Sequence, residues 1–146
     1  MSLESLPASH ARALRDGSTV LERLGLLIAG GYALRAHQVI SRPSQDLDLA
    51  TSAAQPLTHI ADELAGAYRD AGYQVSILEG SERSVRMLLT LPDGIEQLEV
   101  DLLKEALSPN HLAITGPSGE HLQAISFDDA VGLKVRALHD RSYPAT

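Results

Sequence analysis

The chain has 146 residues, of which 44% are hydrophobic and 21% charged, and its formal net charge is −7. These fractions are typical of a soluble globular protein, and the length is enough for one domain with a core. The negative charge argues against a broad, nonspecific nucleic-acid surface, which would need many lysine and arginine side chains.

No apolar run approaches the roughly 20 residues that are needed to span a bilayer. The N-terminal segment lacks a basic stretch followed by an apolar one, so we see no signal peptide. The chain contains no cysteine, which excludes disulfides and thiolate metal sites. We therefore expect a cytoplasmic protein without a membrane segment.

Hydrophobic periodicity and turn residues predict alternating helices and strands. In chain order these are a helix at Ser9–Leu24, a strand at Leu26–Ala29, a helix at Gly31–Ile40, a strand at Leu47–Ala50, a helix at Pro56–Ala71, strands at Tyr73–Leu78, Val85–Leu91, Glu96–Leu103, Leu112–Thr115 and His121–Ile125, and a helix from Phe127 to about His139. Gly17 interrupts the first helix, and Ser126 caps the last one. This order predicts an α/β (α+β) fold, in which helices pack on a mixed β-sheet.

The strongest chemical signal lies in residues 26–49, where an apolar strand meets Gly30-Gly31, a helix follows, and the next strand carries Asp46 and Asp48. Residues i and i+2 of a strand point to the same side, so the two aspartates share one face. Neighbouring carboxylates repel each other unless a cation lies between them, and Mg²⁺ takes oxygen ligands and bridges to phosphates. A Gly-Gly turn before a helix offers backbone N–H groups to a phosphate. The pattern predicts a metal-dependent nucleotide site; the alternatives are solvated acids and an ordinary turn.

Four segments carry a family resemblance. They are Gly30-Gly31-Tyr32-Ala33-Leu34, Arg42-x-Ser44-x-Asp46-x-Asp48-Leu49, Asp101 within Leu98-Glu99-Val100-Asp101-Leu102, and Lys134 within Gly132-Leu133-Lys134-Val135-Arg136-Ala137-Leu138. This set resembles the polymerase-β-type nucleotidyltransferase superfamily, and more closely the AbiEii/MenT group of toxins from bacterial toxin–antitoxin and phage-defence systems. The resemblance extends over about Leu26 to Arg141.

The resemblance implies a nucleotidyltransferase fold and the transfer of a nucleoside monophosphate from a nucleoside triphosphate (NTP) to an acceptor hydroxyl. It implies that Mg²⁺ or Mn²⁺ is bound by Asp46, Asp48 and Asp101, and that these three residues act in catalysis with Lys134. It implies that the nucleotide is bound by Gly30, Gly31, Arg42, Ser44 and Lys134. The acceptor stays open among transfer RNA, protein and small molecules, and a cognate antitoxin protein is an implied partner.

Several of these residues have plain structural alternatives. Asp101 could complete the metal site or accept the acceptor's proton, but it could also be a surface carboxylate, and Glu99 on the same strand face is a rival. Lys134 could place a positive charge on the phosphates or be a surface lysine. Arg42 could pair with phosphate oxygens or lie in a solvated loop, and Ser44 could be an ordinary turn residue after a proline.

One departure from the group's pattern concerns the C-terminal end of the chain. The closer group generally carries a further aspartate soon after the lysine helix, followed by more helices, whereas this chain ends at Thr146. We therefore expect one nucleotidyltransferase domain, 1–146, that lacks a C-terminal helical segment. The alternative functions are a catalytically silent nucleotide-binding or regulatory domain, or an interaction module bound by an antitoxin.

Overall fold

A computed structural model describes residues 6–37, 46–116 and 118–142, with side chains described up to residue 136. The elements of this part are α1 (Ala8–Arg23), β1 (Leu27–Ile28), α2 (Gly30–Ala36), β2 (Leu47–Thr51), α3 (Leu57–Asp70), β3 (Gln74–Gly80), β4 (Ser84–Thr90), β5 (Gln97–Lys104), β6 (Leu112–Thr115), β7 (His121–Ala124) and α4 (Phe127–Ser142). Within these ranges no helix combines the length and apolar character that crossing a membrane requires.

The strands form one mixed sheet in the order β3-β4-β5-β2-β1-β7-β6. The pairs β2–β5 and β1–β7 are parallel, and the other neighbouring pairs are antiparallel. The β4–β5 hairpin is closed by a turn in which Asp93 Oδ1 accepts hydrogen bonds from the backbone N–H groups of Ile95 (2.8 Å) and Glu96 (3.0 Å). The prediction of a mixed sheet with helices packed on it is confirmed.

The two faces of the strands β4, β5 and β2 differ in what covers them. On one face, inward side chains pack under α1 and α3, which also contact each other. Those inward side chains are Val85, Met87, Leu89, Leu98, Val100, Leu102, Leu47 and Leu49, all of them buried. The alternate residues point to the other face, and these include Arg86, Asp101 and Asp48. Polar chemistry therefore lies on the face of these strands opposite to α3.

Gly17 lies inside a continuous α1 and does not interrupt it, contrary to expectation. A Cβ at this position would overlap the phenol ring of Tyr68 on α3. The Tyr68 hydroxyl donates a hydrogen bond to the carbonyl of Ala13, one turn earlier on α1 (2.7 Å). The glycine is thus explained by the close approach of two helices, which overrides its low helix propensity.

Other boundaries agree in part with the predictions. The second helix begins at Gly30, one residue earlier than predicted, and residues 38–40 of the predicted span lie outside the described residues. The last helix begins after Ser126, whose Oγ accepts a hydrogen bond from the N–H of Asp129 (3.1 Å), as the cap prediction requires. Ile77 is 46% exposed, because β3 is an edge strand and its register shifts there.

Candidate functional site

Asp48 and Asp101 are direct neighbours across two parallel strands. The register of β2 and β5 pairs Asp48 with Asp101, and the flanking pairs place Leu47 opposite Val100 and Leu49 opposite Leu102. Because side chains alternate along a strand, both carboxyl groups emerge on the same face while the leucines enter the core. Two residues that are 53 positions apart in the sequence, on separate strands, are thereby brought into one site.

Gly30 lies against the Asp48 side of this carboxyl pair. Its φ angle is +58°, in the left-handed region that favours glycine, and a Cβ at this position would overlap the carboxyl group of Asp48. The N–H of Ala29 donates a hydrogen bond to the carbonyl of Asp48 (2.8 Å), which holds the two chain segments together. The start of α2 therefore lies directly against the Asp48 carboxyl group.

The electrostatic environment of Asp48 disfavours a bare negative charge. Burial, followed by the charges of Asp101 and Asp46, raises the pKa of Asp48 to about 7, although the charge of Arg86 acts in the opposite direction. At neutral pH the carboxyl group therefore shares its site with either a proton or another cation. A carboxyl group with such a pKa in a group of like charges is a feature of functional sites.

Asp46 lies just before β2 and is exposed, yet its charge affects the pKa of two neighbouring residues. Its charge raises the pKa of Asp48 and also partly offsets the effect of burial on His10, whose pKa is lowered. His10 is buried on α1 and forms a hydrogen bond through Nδ1 with the hydroxyl group of Tyr32 on α2. Burial raises the pKa of Tyr32 to about 12, so this phenol is neutral at physiological pH. The sequence carried no signal for this contact, which links α1 to the helix that begins at Gly30.

Arg86 on β4 is a cation on the same face of the sheet as Asp101 and Asp48. The register of β4 and β5 pairs it with Asp101, and its Nε donates a hydrogen bond to Asp101 Oδ1 at 2.9 Å. Glu99 Oε2 lies 4.0 Å from the same nitrogen. The sequence left Glu99 as a rival of Asp101; the structure pairs Asp101, not Glu99, with Asp48.

The remaining predicted residues are placed less fully. Lys134 is exposed on α4, and no hydrogen bond or ion pair of it is seen within the described ranges. Arg42 and Ser44 lie outside the described residues. Gly31 lies in the first turn of α2, beside Gly30. The predicted nucleotide-binding set is therefore brought together only at the two glycines, and its other members stay predictions.

The oxygen atoms at this site can be compared with the ligands that a divalent cation requires. Asp48 and Asp101 offer hard carboxylate oxygens side by side, and glycine leaves no side chain over Asp48. Among the residues with described side chains, however, no group of three or more acidic or histidine side chains is arranged to hold a metal ion. The pair thus fits a magnesium-type ion that takes its other ligands from elsewhere, for instance from phosphates and water.

Two surface grooves lie away from these carboxylates, around the C-terminal end of β2. Their volumes are about 610 Å³ and about 830 Å³, and both are lined in part by Ser52. Neither is lined by Asp48 or Asp101. The chemistry of the carboxyl pair, rather than the size of a groove, marks the candidate site.

Comparisons with known proteins bear on the fold and the family of this chain. Two crystal structures from Helicobacter pylori share the fold. One is a protein named as a nucleotidyltransferase by inference. Its match has a TM-score of 0.60 and 16% identity, and it covers 87% of this chain and 56% of that protein's chain. The other, JHP933, has a TM-score of 0.61 and 17% identity, covering 90% of this chain and 58% of its own. The chain therefore spans a little over half the length of each of these proteins.

No curated protein sequence matches the chain. The profile of the family described as nucleotidyl transferase AbiEii toxin, type IV toxin–antitoxin system, matches residues 12–145. That range includes both glycines at the start of α2 and all three predicted metal-binding aspartates. The chain belongs to the AbiEii nucleotidyl transferase toxin family.

Proposed function

We propose that this chain transfers a nucleoside monophosphate from an NTP to an acceptor hydroxyl, using Mg²⁺ or Mn²⁺ bound by Asp46, Asp48 and Asp101. The observation that carries the proposal is the pairing of Asp48 with Asp101 beside the backbone of Gly30. Two carboxyl groups held together, one with its pKa raised to about 7, form a site that a divalent cation stabilises. Family membership supports the reaction class.

The reaction forms one bond and breaks one. The acceptor oxygen bonds to the α-phosphorus of the NTP, the bond between that phosphorus and the bridging oxygen breaks, and pyrophosphate leaves with the bonding electrons. In this proposal Asp101 accepts the proton of the acceptor hydroxyl, since its side chain is 20% exposed and can be approached from solvent. The metal ion, when bound, neutralises charge on the phosphates and on the carboxyl groups.

Phosphate binding is assigned to the start of α2 and to nearby cations. The first backbone N–H groups of a helix have no carbonyl partner within that helix, so those of Gly30 and Gly31 suit phosphate oxygens. Arg42, Ser44 and Lys134 complete the nucleotide-binding set in this proposal, with Lys134 acting on the outer phosphates. Because the NTP pool is cytoplasmic, we place the reaction in the cytoplasm, in one domain that includes residues 1–146.

The direct test supplies Mg²⁺, each of the four NTPs in turn, and acceptors of three classes: bulk transfer RNA, cell protein and small polyhydroxyl compounds. We expect pyrophosphate release and labelling of one acceptor class. Asp46→Asn should lower this rate by about 10²-fold or more, the scale of removing one preorganised electrostatic contact. Asp62→Asn, which removes an exposed aspartate from α3, is the matched control and should leave the rate unchanged.

Two outcomes would count against the proposal. Calorimetry that detects Mg²⁺-dependent NTP binding, without pyrophosphate release with any acceptor, would favour a silent nucleotide-binding domain. Equal rates for the wild type and Asp46→Asn would remove Asp46 from the mechanism and leave the proposal without its third metal ligand.

The family description also motivates a toxin role and an antitoxin partner, which we propose here. Induced expression in a bacterial host is expected to slow growth, and Asp46→Asn is expected to restore growth because its transfer rate is at least about 10²-fold lower. Co-expression of the neighbouring gene should restore growth of the wild-type strain. Growth curves with protein levels matched by immunoblot check both points; slow growth with Asp46→Asn would show that toxicity is unrelated to the reaction.

A further inference from the structure

One cation faces the carboxyl pair from the neighbouring strand. Strand β5 lies between β4 and β2, so Asp101 has Arg86 on one side and Asp48 on the other. The Arg86 guanidinium donates a hydrogen bond from Nε to Asp101 Oδ1 at 2.9 Å, and Asp101 is the register neighbour of Asp48 on β2. The three side chains form a continuous row across three strands.

We propose that Arg86 is a positioning residue of the nucleotidyl transfer reaction: by holding one oxygen of Asp101, it orients this carboxylate toward Asp48 and the reacting groups. This inference rests on the proposed function. A hydrogen bond between a guanidinium and a carboxylate is short and directional, so it restricts rotation of the carboxylate. An isolated aspartate on an open sheet face would have no such restriction.

The position of Arg86 is itself fixed by acids on both sides. Glu79 on β3 is its register partner, and Glu99 on β5 lies 4.0 Å from its Nε. With Asp101, three carboxylates surround one guanidinium, and their charges and hydrogen bond raise its pKa. Arg86 thus stays charged, and the attraction of these carboxylates holds its guanidinium over the sheet.

The alternative is that Arg86 forms an ordinary surface ion pair. Its side chain is 45% exposed and that of Asp101 is 20% exposed. Exposed ion pairs add little to stability, so loss of Arg86 should barely change the melting temperature under either interpretation. The two interpretations differ in turnover, because only a positioning role makes the chemical step depend on Arg86.

The experiment measures kcat and KM for the NTP, Mn²⁺ affinity by calorimetry, and melting temperature for the wild type, Arg86→Ala, Arg86→Lys and Arg83→Ala. Arg83 is the matched control because it precedes β4 and forms none of the ion pairs seen in the described residues. We expect kcat of Arg86→Ala to fall about 10- to 100-fold, as when a partner of a ligating or reacting side chain is removed. KM should stay within about threefold, and Arg86→Lys should be intermediate because a lysine keeps the charge without the planar fork.

Mn²⁺ affinity provides a readout that does not depend on turnover. Removing a neighbouring positive charge favours cation binding, which offsets the loss of order in Asp101, so affinity should change by less than about threefold. Millimolar guanidinium should restore part of the turnover of Arg86→Ala. It should not restore turnover in other slow variants, such as Asp46→Asn. Such rescue is not expected of a residue that only stabilises the fold.

Several results would overturn the inference. Unchanged kcat in Arg86→Ala would mean that Asp101 needs no partner. A raised KM with unchanged kcat would make Arg86 a substrate contact, and a parallel loss of Mn²⁺ binding and melting temperature would make it structural. Absence of turnover in the wild type would instead refute the proposed function, and this inference with it, so the two failures are distinguishable.

Discussion

Asp48→Asn is expected to make the protein more stable at pH 8 while abolishing nucleotidyl transfer. In the folded state the pKa of Asp48 is raised from 3.8 to about 7, chiefly by burial and by Asp101. A raised carboxyl pKa means that the folded protein binds the proton more tightly than the unfolded chain does. The contribution of Asp48 to stability is therefore fully present below about pH 4 and is lost as the pH rises through 7.

Asparagine removes this dependence because it is uncharged and nearly isosteric with the protonated acid. A pKa shift of this size corresponds to about 4 kcal/mol, and since Asp48 is partly exposed we expect about half, near 2 kcal/mol, at pH 8. For a chain of this length, that should raise the melting temperature by roughly 4–8 °C. At pH 4 the wild type is protonated as well, so the difference should nearly vanish.

Thermal unfolding between pH 4 and pH 8, in the absence of divalent ions, measures the stability part of this prediction. Asp62→Asn on α3 is the control and should show no comparable change with pH. Mg²⁺ should raise the melting temperature of the wild type at pH 8 but not that of Asp48→Asn, since a ligand stabilises only the form that binds it. If Asp48→Asn were less stable than the wild type at pH 8, the ionised Asp48 carboxylate would not destabilise the folded protein, contrary to this prediction.

The activity part follows from the same residue. Loss of the Asp48 charge removes a predicted metal ligand, and transfer should fall by at least about 10²-fold. A functional site that costs stability is a common compromise, because the charges needed for chemistry repel each other when the substrate is absent. Full activity in Asp48→Asn would show that the carboxyl pair has no part in the reaction.

The order of the elements was predictable because it depends on local patterns. Alternating apolar residues such as Leu98, Val100 and Leu102 identify β5 and its buried face without knowledge of its neighbours. The same alternation correctly placed Asp101 on the opposite face. Local alternation does not predict burial at the edge of a sheet, since Ile77 on the edge strand β3 is 46% exposed.

The site itself was predictable only in part, because strand register is a long-range property. Nothing near Asp101 in the sequence specifies that β5 pairs with β2 in the register that places it beside Asp48. The contact of Arg86 with Asp101 likewise depends on the β4–β5 register, and the contact of His10 with Tyr32 depends on the packing of α1 against α2. A motif can therefore identify the residue types of a site, whereas their partners depend on the fold.

Gly30→Ala is expected to damage both stability and transfer, because the backbone here approaches the Asp48 carboxyl group too closely for a side chain. The positive φ of +58° alone costs a non-glycine residue roughly 1–2 kcal/mol. The added methyl group also overlaps Asp48, so either α2 or the carboxyl group must move. We expect a loss of about 2–3 kcal/mol in the free energy of unfolding.

The control is the same substitution at Gly66, in the interior of α3, where no atom lies within 4 Å of the new methyl group. There alanine should stabilise the protein by about 0.5–1 kcal/mol, because it loses less backbone entropy than glycine on folding into a helix. Opposite signs for one chemical change, measured by denaturant unfolding, would separate the local geometry at Gly30 from a general effect of alanine. Transfer should fall at least about 10-fold in Gly30→Ala, under conditions where the variant is fully folded, since small displacements of reacting groups are costly. Gly66→Ala should keep the wild-type rate. A Gly30→Ala variant with wild-type stability and wild-type transfer rate would mean that the start of α2 does not shape the Asp48 site.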